Sequence, residues 1–146
     1  MPTCIIHIDG GSRGNPGPAG AGVMLQWSDN GTPFHEAGYF LGEATNNFAE
    51  YQGLLRALDV AAAAGADELD IRSDSQLLVF QLIGKYRVKS PNIKPLYQQA
   101  VASLKRFGKW QARHVYREQN QRADQLANMA MDAIDDVIVI EDGVEK

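Results

Sequence analysis

Asp9, Glu50, Asp74 and Asp124 are the residues of this 146-residue chain best placed by type and position to do chemistry. Asp9 closes an apolar, β-branched run over residues 3–8 and precedes Gly10-Gly11. Glu50 falls in the first turn of a long Ala- and Leu-rich helical stretch. Asp74 closes a second strand-like run, residues 68–73. Asp124 lies near the start of the last helical stretch. Each acid also has a plain structural use: a turn former for Asp9, a capping-box partner of Asn47 for Glu50, a helix N-cap for Asp74, and a charge suited to the helix dipole for Asp124. Yet two strand ends and two helix starts can bring all four to one place. Two carboxylates about 4 Å apart repel by roughly 4 kcal/mol at an effective dielectric of 20, so such a cluster calls for cations. Hard oxygen ligands with no cysteine among them favour Mg²⁺ or Mn²⁺ over zinc. Two such ions about 3.5–4 Å apart suit in-line attack of water on a phosphodiester, one ion activating the water and the other stabilising the leaving oxygen.

The elements that must position these acids are legible from periodicity. After the first strand, residues 12–22 are rich in Gly and Pro and read as a loop passing into a strand. Residues 22–28 and 34–41 flank Asp29-Asn30-Gly31, a hairpin signal. Helical spacing of Phe48, Leu54, Leu55 and Leu58 predicts a helix over residues 46–64, stopped by Gly65. Further helices are expected over 75–83, 96–107 and 120–134, with a strand over 110–116. The order β-β-β-α-β-α-α-β-α implies an α/β fold: one five-stranded mixed sheet, a hairpin plus parallel strands, with helices on its faces. Ligands of such sheets gather where strands end and helices begin. Residues 1–134 read as a single domain. Residues 135–146 form an acidic tail around Val137-Ile138-Val139-Ile140, either an edge strand or a loose end.

Apolar residues make up 45% of the chain and charged residues 22%, which excludes wholesale disorder. The single cysteine, Cys4, excludes an intrachain disulfide and a cysteine-based zinc site. No apolar run approaches the roughly 20 residues that span a bilayer. The start Met-Pro-Thr-Cys shows no basic leader, so the expectation is a cytoplasmic protein, with no membrane partner and with a monomer as the default. The net charge of −4 hides an asymmetry: residues 85–122 hold ten basic side chains against one acid, Glu118. That basic third reads either as a polyanion patch or as a solvated surface. The Gly-rich loop lacks the Gly-Lys-Ser/Thr of a nucleotide cradle, and a strand rather than a helix follows it. His7 reads as a buried core histidine, His35 as exposed, and Trp27 and Trp110 as packing residues. Tyr86, among Lys85, Arg87 and Lys89, could stack on a base or touch a phosphate.

Four segments carry a family resemblance. Asp9-Gly10-Gly11-Ser12-Arg13-Gly14-Asn15-Pro16-Gly17-Pro18, Thr45-Asn46-Asn47-Phe48-Ala49-Glu50, Ser73-Asp74-Ser75-Gln76 and Asn120-Gln121-Arg122-Ala123-Asp124 together resemble type I ribonuclease H, over about residues 3–134. The resemblance implies a ribonuclease H-like five-stranded mixed sheet with helices on both sides. It implies an endonuclease that cuts the RNA strand of RNA–DNA hybrids and leaves 5′-phosphate and 3′-hydroxyl ends. It makes Asp9, Glu50, Asp74 and Asp124 the ligands of two Mg²⁺ ions, with Mn²⁺ as a substitute and no organic cofactor. Ser12, Asn15, Asn46, Asn47 and Gln76 take the place of substrate contacts, and Thr45 resembles a residue that grips a phosphate of the DNA strand. An amide both donates and accepts, which suits a 2′-hydroxyl and base edges together.

Two departures from the family pattern are visible. The basic segment over residues 85–95 is short, so only part of the basic protrusion of some members is present. Many members carry a histidine in a flexible loop before the last acid, whereas here Tyr116 and Asn120 are joined only by Arg117-Glu118-Gln119. The segment His114-Val115-Tyr116-Arg117-Glu118 looks like the short-loop subgroup, resembling bacterial and archaeal members without a full protrusion. Arg117, just past the expected strand end, is then favoured over His114 as the helper of turnover. The competing readings are a nucleic-acid-binding module without catalysis, against which the complete set of acids speaks, and another nuclease of the same general fold.

Overall fold

The computed structural model describes residues 2–146. Strand β1 (Cys4–Ser12) alternates strictly: Cys4, Ile6 and Ile8 are fully buried on one face, while His7 and Asp9 point to the other. It pairs antiparallel with β2 (Gly17–Trp27), which pairs antiparallel with β3 (Pro33–Ala44). β1 also pairs in parallel with β4 (Glu68–Ser73), and β4 in parallel with β5 (Lys109–His114). The hairpin and parallel-strand arrangement expected from the sequence is therefore present, but the strand count is not. The sheet has seven strands, not five, in the order β5-β4-β1-β2-β3-β6-β7. The two additional strands, β6 (Val137–Glu141) and β7 (Val144–Glu145), come from the acidic tail. β6 lies antiparallel to β3, so the apolar run at 137–140 covers an edge that would otherwise present unpaired backbone groups.

Helix α1 (Asn46–Ala63) lies across the face that holds Ile6 and Ile8. It buries Tyr51, Leu54, Ala57, Leu58 and Ala61 at helical spacing, and the Tyr51 hydroxyl donates to Gln81 of α2 (Gln76–Leu82) at 2.6 Å. Helix α3 (Lys94–Leu104) closes this layer with Leu96, Ala100 and Leu104. The opposite face carries α4 (Gln121–Ala133). A Cβ on Gly22 or Gly38 would overlap the carbonyl oxygens of Ala123 and Leu126, so these glycines let α4 settle directly on the strands. Two charged clusters sit on that face. Asp70 is buried against Arg72 at 2.9 Å and Arg113 at 2.5 Å, and buried Glu36 accepts from Arg122 at 2.7 Å. Burial would raise the Asp70 pKa, but the hydrogen bonds from Arg113 and Arg72 outweigh it and hold the carboxyl below its ordinary range.

His35 corrects the sequence reading: it is buried, not exposed, with Nε2 3.2 Å from the Tyr39 hydroxyl. His7 is buried as expected. Trp27 stacks on Phe34 with ring centroids 5.1 Å apart, and Trp110 packs against the core. Among the described residues, no helix is long and apolar enough to cross a membrane.

Candidate active site

Three acids converge where β1 runs past its last pairing with β4, at the end of β4 and the start of α1. Oxygen atoms of Asp9, Glu50 and Asp74 all lie within 4.8 Å of one another. The local cause is again a missing side chain: a Cβ on Gly10 would stand 2.5 Å from the Glu50 backbone nitrogen, so only glycine lets α1 approach close enough for Glu50 to reach Asp9. The capping use of Glu50 is not realised. Thr45 caps α1, its Oγ1 accepting the Phe48 N–H at 3.2 Å, while Glu50 is buried among the acids. Nor does Asp74 cap α2, because Ser75 does, accepting the Leu78 N–H at 3.2 Å. Asp124 stands in the first turn of α4, lines the same cleft and acts on Asp9, but it is not one of the three acids whose oxygens lie within 4.8 Å of one another.

The electrostatics are those of a site built for cations. Burial, then the charges of Glu50 and Asp74 and the approach of Asp124, push the Asp9 pKa well above its ordinary value. Burial, then Asp74, raises that of Glu50, and interactions with the Gly10 N–H and the Asp9 and Ser73 side chains offset this only in part. Glu50 Oε2 is buried without a hydrogen-bond partner. An unpaired carboxylate oxygen in a buried group of like charges is costly unless a cation meets it. The all-oxygen donor set fits a hard divalent ion.

Above the acids opens a cleft of about 480 Å³ lined by Asp9, Asp74, Asp124, Gly10, Gly11, Ser12, Arg13, Asn46, His114, Tyr116, Arg117 and Asn128. Arg117 opens a single 3-10 turn, Arg117–Gln119, and is exposed. It lines both this cleft and a second hollow on the far side of Asp124. His114 is the last residue of β5 and is paired in register with Ser73, and its ring meets Tyr116 edge-on at 5.8 Å. A neighbouring groove of about 760 Å³ is lined by Asn15, Thr45, Asn46, Asn47, Phe48, Leu77 and Ile93, among others. Asn46 ties the two together: its Oδ1 accepts the Ser12 N–H at 2.8 Å, and its N–H donates to Asn15 Oδ1 at 3.1 Å. Asn47 Oδ1 is buried without a partner. Gln76 opens α2, exposed, and lines neither hollow. Sequence reasoning gave no part to Asn128, whose Nδ2 donates to the Asp124 carbonyl at 3.0 Å, or to Arg13, which lines the cleft and pairs with the exposed Asp132 at 2.7 Å. The i, i+4 spacing of Asp124 and Asn128 was the available signal for the first.

A mixed sheet with carboxylates gathered beside its parallel strands, glycine-seated helices on both faces and an amide-lined groove beside the acids makes a site suited to a hard divalent ion, and comparison with known proteins places the chain in a family. Residues 7–130 match the family model described as reverse transcriptase-like. A bifunctional protein of Mycobacterium tuberculosis is 46% identical over 129 residues, covering 88% of this chain and 35% of that protein. The solved N-terminal RNase H domain of that protein superposes with a TM-score of 0.88 at 45% identity, over 91% of this chain and 96% of that domain. Ribonuclease HI of Halobacterium salinarum is 44% identical over 126 residues, 86% of this chain and 63% of the relative. An RNase H1 solved in complex with an RNA/DNA hybrid has a TM-score of 0.85 at 40% identity, over 90% and 99% of the two chains. This chain belongs to the type I ribonuclease H family. It spans about a third of the length of the mycobacterial relative and under two thirds of the archaeal one.

Proposed function

We propose that this chain is an endonuclease that hydrolyses the RNA strand of RNA–DNA hybrids with two Mg²⁺ ions, Mn²⁺ serving in their place, and leaves 5′-phosphate and 3′-hydroxyl ends. The observation that carries the reading is the Asp9–Glu50–Asp74 cluster, in which Asp9 and Glu50 are buried and a Glu50 oxygen is unpaired, beneath an open polar cleft. Asp9, Glu50, Asp74 and Asp124 would hold the ions. When bound, they supply Lewis-acid polarisation of the scissile phosphate and of the attacking water. The chain's own residues do the rest. Asn15, Asn46 and Asn47, with Ser12 and Gln76, present amide and hydroxyl groups to the duplex, where 2′-hydroxyls distinguish the RNA strand. Thr45, at the start of α1, offers its hydroxyl proton to a phosphate of the DNA strand. Arg117 reaches the scissile phosphate from beside Asp124 and stabilises its developing charge, without acting as a base, since guanidinium keeps its proton. One chain carries every one of these groups, which supports action as a monomer.

The deciding experiment compares cleavage of hybrid, double-stranded RNA, double-stranded DNA and single strands, each with Mg²⁺, Mn²⁺ or EDTA, followed by end-group analysis of the products. Metal-dependent cutting confined to the RNA of the hybrid, lost in Asp9→Asn, is the expected result. Binding without cutting would favour a non-catalytic module, and cutting of DNA duplexes another nuclease of this fold.

A further inference from the structure

We infer that Asn120 is a positioning residue that bolts the start of α4 to β1 and thereby sets how tightly the carboxylates hold divalent ions. The residue is 2% exposed. An asparagine just before a helix ordinarily caps it, but the Asn120 side chain makes no cap bond to α4. It crosses to β1 instead. Its Nδ2 donates to the Ile8 carbonyl at 2.7 Å, and its Oδ1 lies 3.2 Å from His7 Nδ1, which donates to it. Its own carbonyl accepts the Asp124 N–H at 3.2 Å. Ile8 is the peptide neighbour of Asp9, so one buried carboxamide links the backbone that carries Asp9 to the turn that carries Asp124.

That link opposes a specific force. Asp9 and Asp124 are acids that line one cleft, so once both are ionised and no cation lies between them their repulsion pushes the first turn of α4 away from β1. A fixed α4 start keeps Asp124 where the ions need it and removes the cost of bringing it back. Only a carboxamide fits both ends, since it donates to a carbonyl on one side and accepts from a ring N–H on the other. An aspartate there would turn an oxygen toward the Ile8 carbonyl, and an alanine would make neither bond.

The inference rests on the metal-dependent reading above, and the test separates the two. Mn²⁺ binding is measured by calorimetry without substrate, melting by circular dichroism, and turnover of hybrid as a function of Mg²⁺. Asn120→Ala should raise the half-saturating metal concentration about tenfold, the lower end of what lost support of a metal ligand costs. Turnover should return to within a few-fold of wild type at saturating metal, with KM for the hybrid unchanged. Combined with Asp124→Asn, it should weaken Mn²⁺ binding no further than Asp124→Asn alone. Leu126→Ala, a fully buried change on α4, should lower the melting temperature and leave the metal midpoint in place. Asn120→Ser, which keeps a hydroxyl at the position, repeats the test if Asn120→Ala does not fold. A wild-type metal midpoint in the Asn120 variants, or losses that multiply with Asp124→Asn, overturns the inference. A wild type that binds Mn²⁺ without cutting hybrid refutes the proposed activity and leaves the calorimetric test standing, whereas a wild type that binds no Mn²⁺ overturns both.

Discussion

Asp9→Asn should make the metal-free protein more stable while abolishing its turnover. In the folded chain the Asp9 carboxyl is held above its ordinary 3.8 by burial, then by Glu50, Asp74 and Asp124. The metal-free folded state therefore binds this proton more tightly than the unfolded chain does. Stability on that account is greatest at and below the unfolded value and falls as pH rises toward the raised folded one. At neutral pH the cost is limited by the free energy of leaving the acid protonated. That is about three pH units at 1.36 kcal/mol each, or about 4 kcal/mol. Repulsion gives a similar scale: a pair of charges 4.8 Å apart interacts by about 3.5 kcal/mol at an effective dielectric of 20. Asparagine removes the charge and keeps the shape, so a gain of about 2–4 kcal/mol is expected. For a chain of this size that raises the melting temperature by about 5–10 °C. The assay is thermal unfolding in EDTA, followed by circular dichroism between about pH 4 and pH 8. The gain should be absent at the acid end, grow with pH, and shrink in saturating Mg²⁺, which stabilises the wild type by binding it. A variant that melts at or below the wild type in EDTA at neutral pH, or whose gain ignores pH, would refute the electrostatic account of this site.

Arg117→Ala should lower turnover at saturating hybrid by about tenfold or more, as loss of one charge-stabilising group does, while His114→Ala, whose backbone is held in the β5 ladder, stays near wild type. A folded His114→Ala that loses turnover while Arg117→Ala keeps it would exchange their roles. Reversing charge at the exposed Lys85, Arg87 and Lys89 should raise KM for the hybrid and flatten its salt dependence with little change in kcat, and an unchanged KM at low and high salt would count against phosphate contact there. Asp70→Asn should cost about 2–3 kcal/mol at neutral pH, less than a fully buried pair because Arg113 is half exposed. Its folded pKa is depressed, so the stability it contributes is present above the unfolded value and is lost as the pH falls through the folded one. Denaturant melts across that acid range check it, and a deficit that does not shrink toward low pH would contradict it.

The four acids, the helices that carry two of them and the strand that stops before Asp74 were legible in the chain itself, whereas β1 runs past Asp9 to Ser12 through its pairing with β2. Each rests on a local record: β-branched runs that stop at Asp9 and Asp74, and apolar spacing that starts just before Glu50 and Asp124. The place of Asn15, Asn46 and Asn47 beside the acids was legible for the same reason, since they stand in the segments that carry Asp9 and Glu50. What the chain did not disclose depends on elements far apart in sequence. The run at 137–140 could be an edge strand or a loose end, and only the free edge of β3 decides that it pairs as β6. His35 stands between Phe34 and Glu36 with no local sign of its setting, and only the folded sheet shows it buried beside Tyr39. Asn120 reads locally as a helix cap, yet its side chain is used on β1, more than a hundred residues away. Gly10, Gly22 and Gly38 look like loop or strand glycines, and their purpose is visible only when a helix backbone lies where a Cβ would be. Local sequence sets which way a side chain faces along its own element. Which partner meets that face is settled by packing, because the free energy of a buried contact belongs to both surfaces and is written in neither alone.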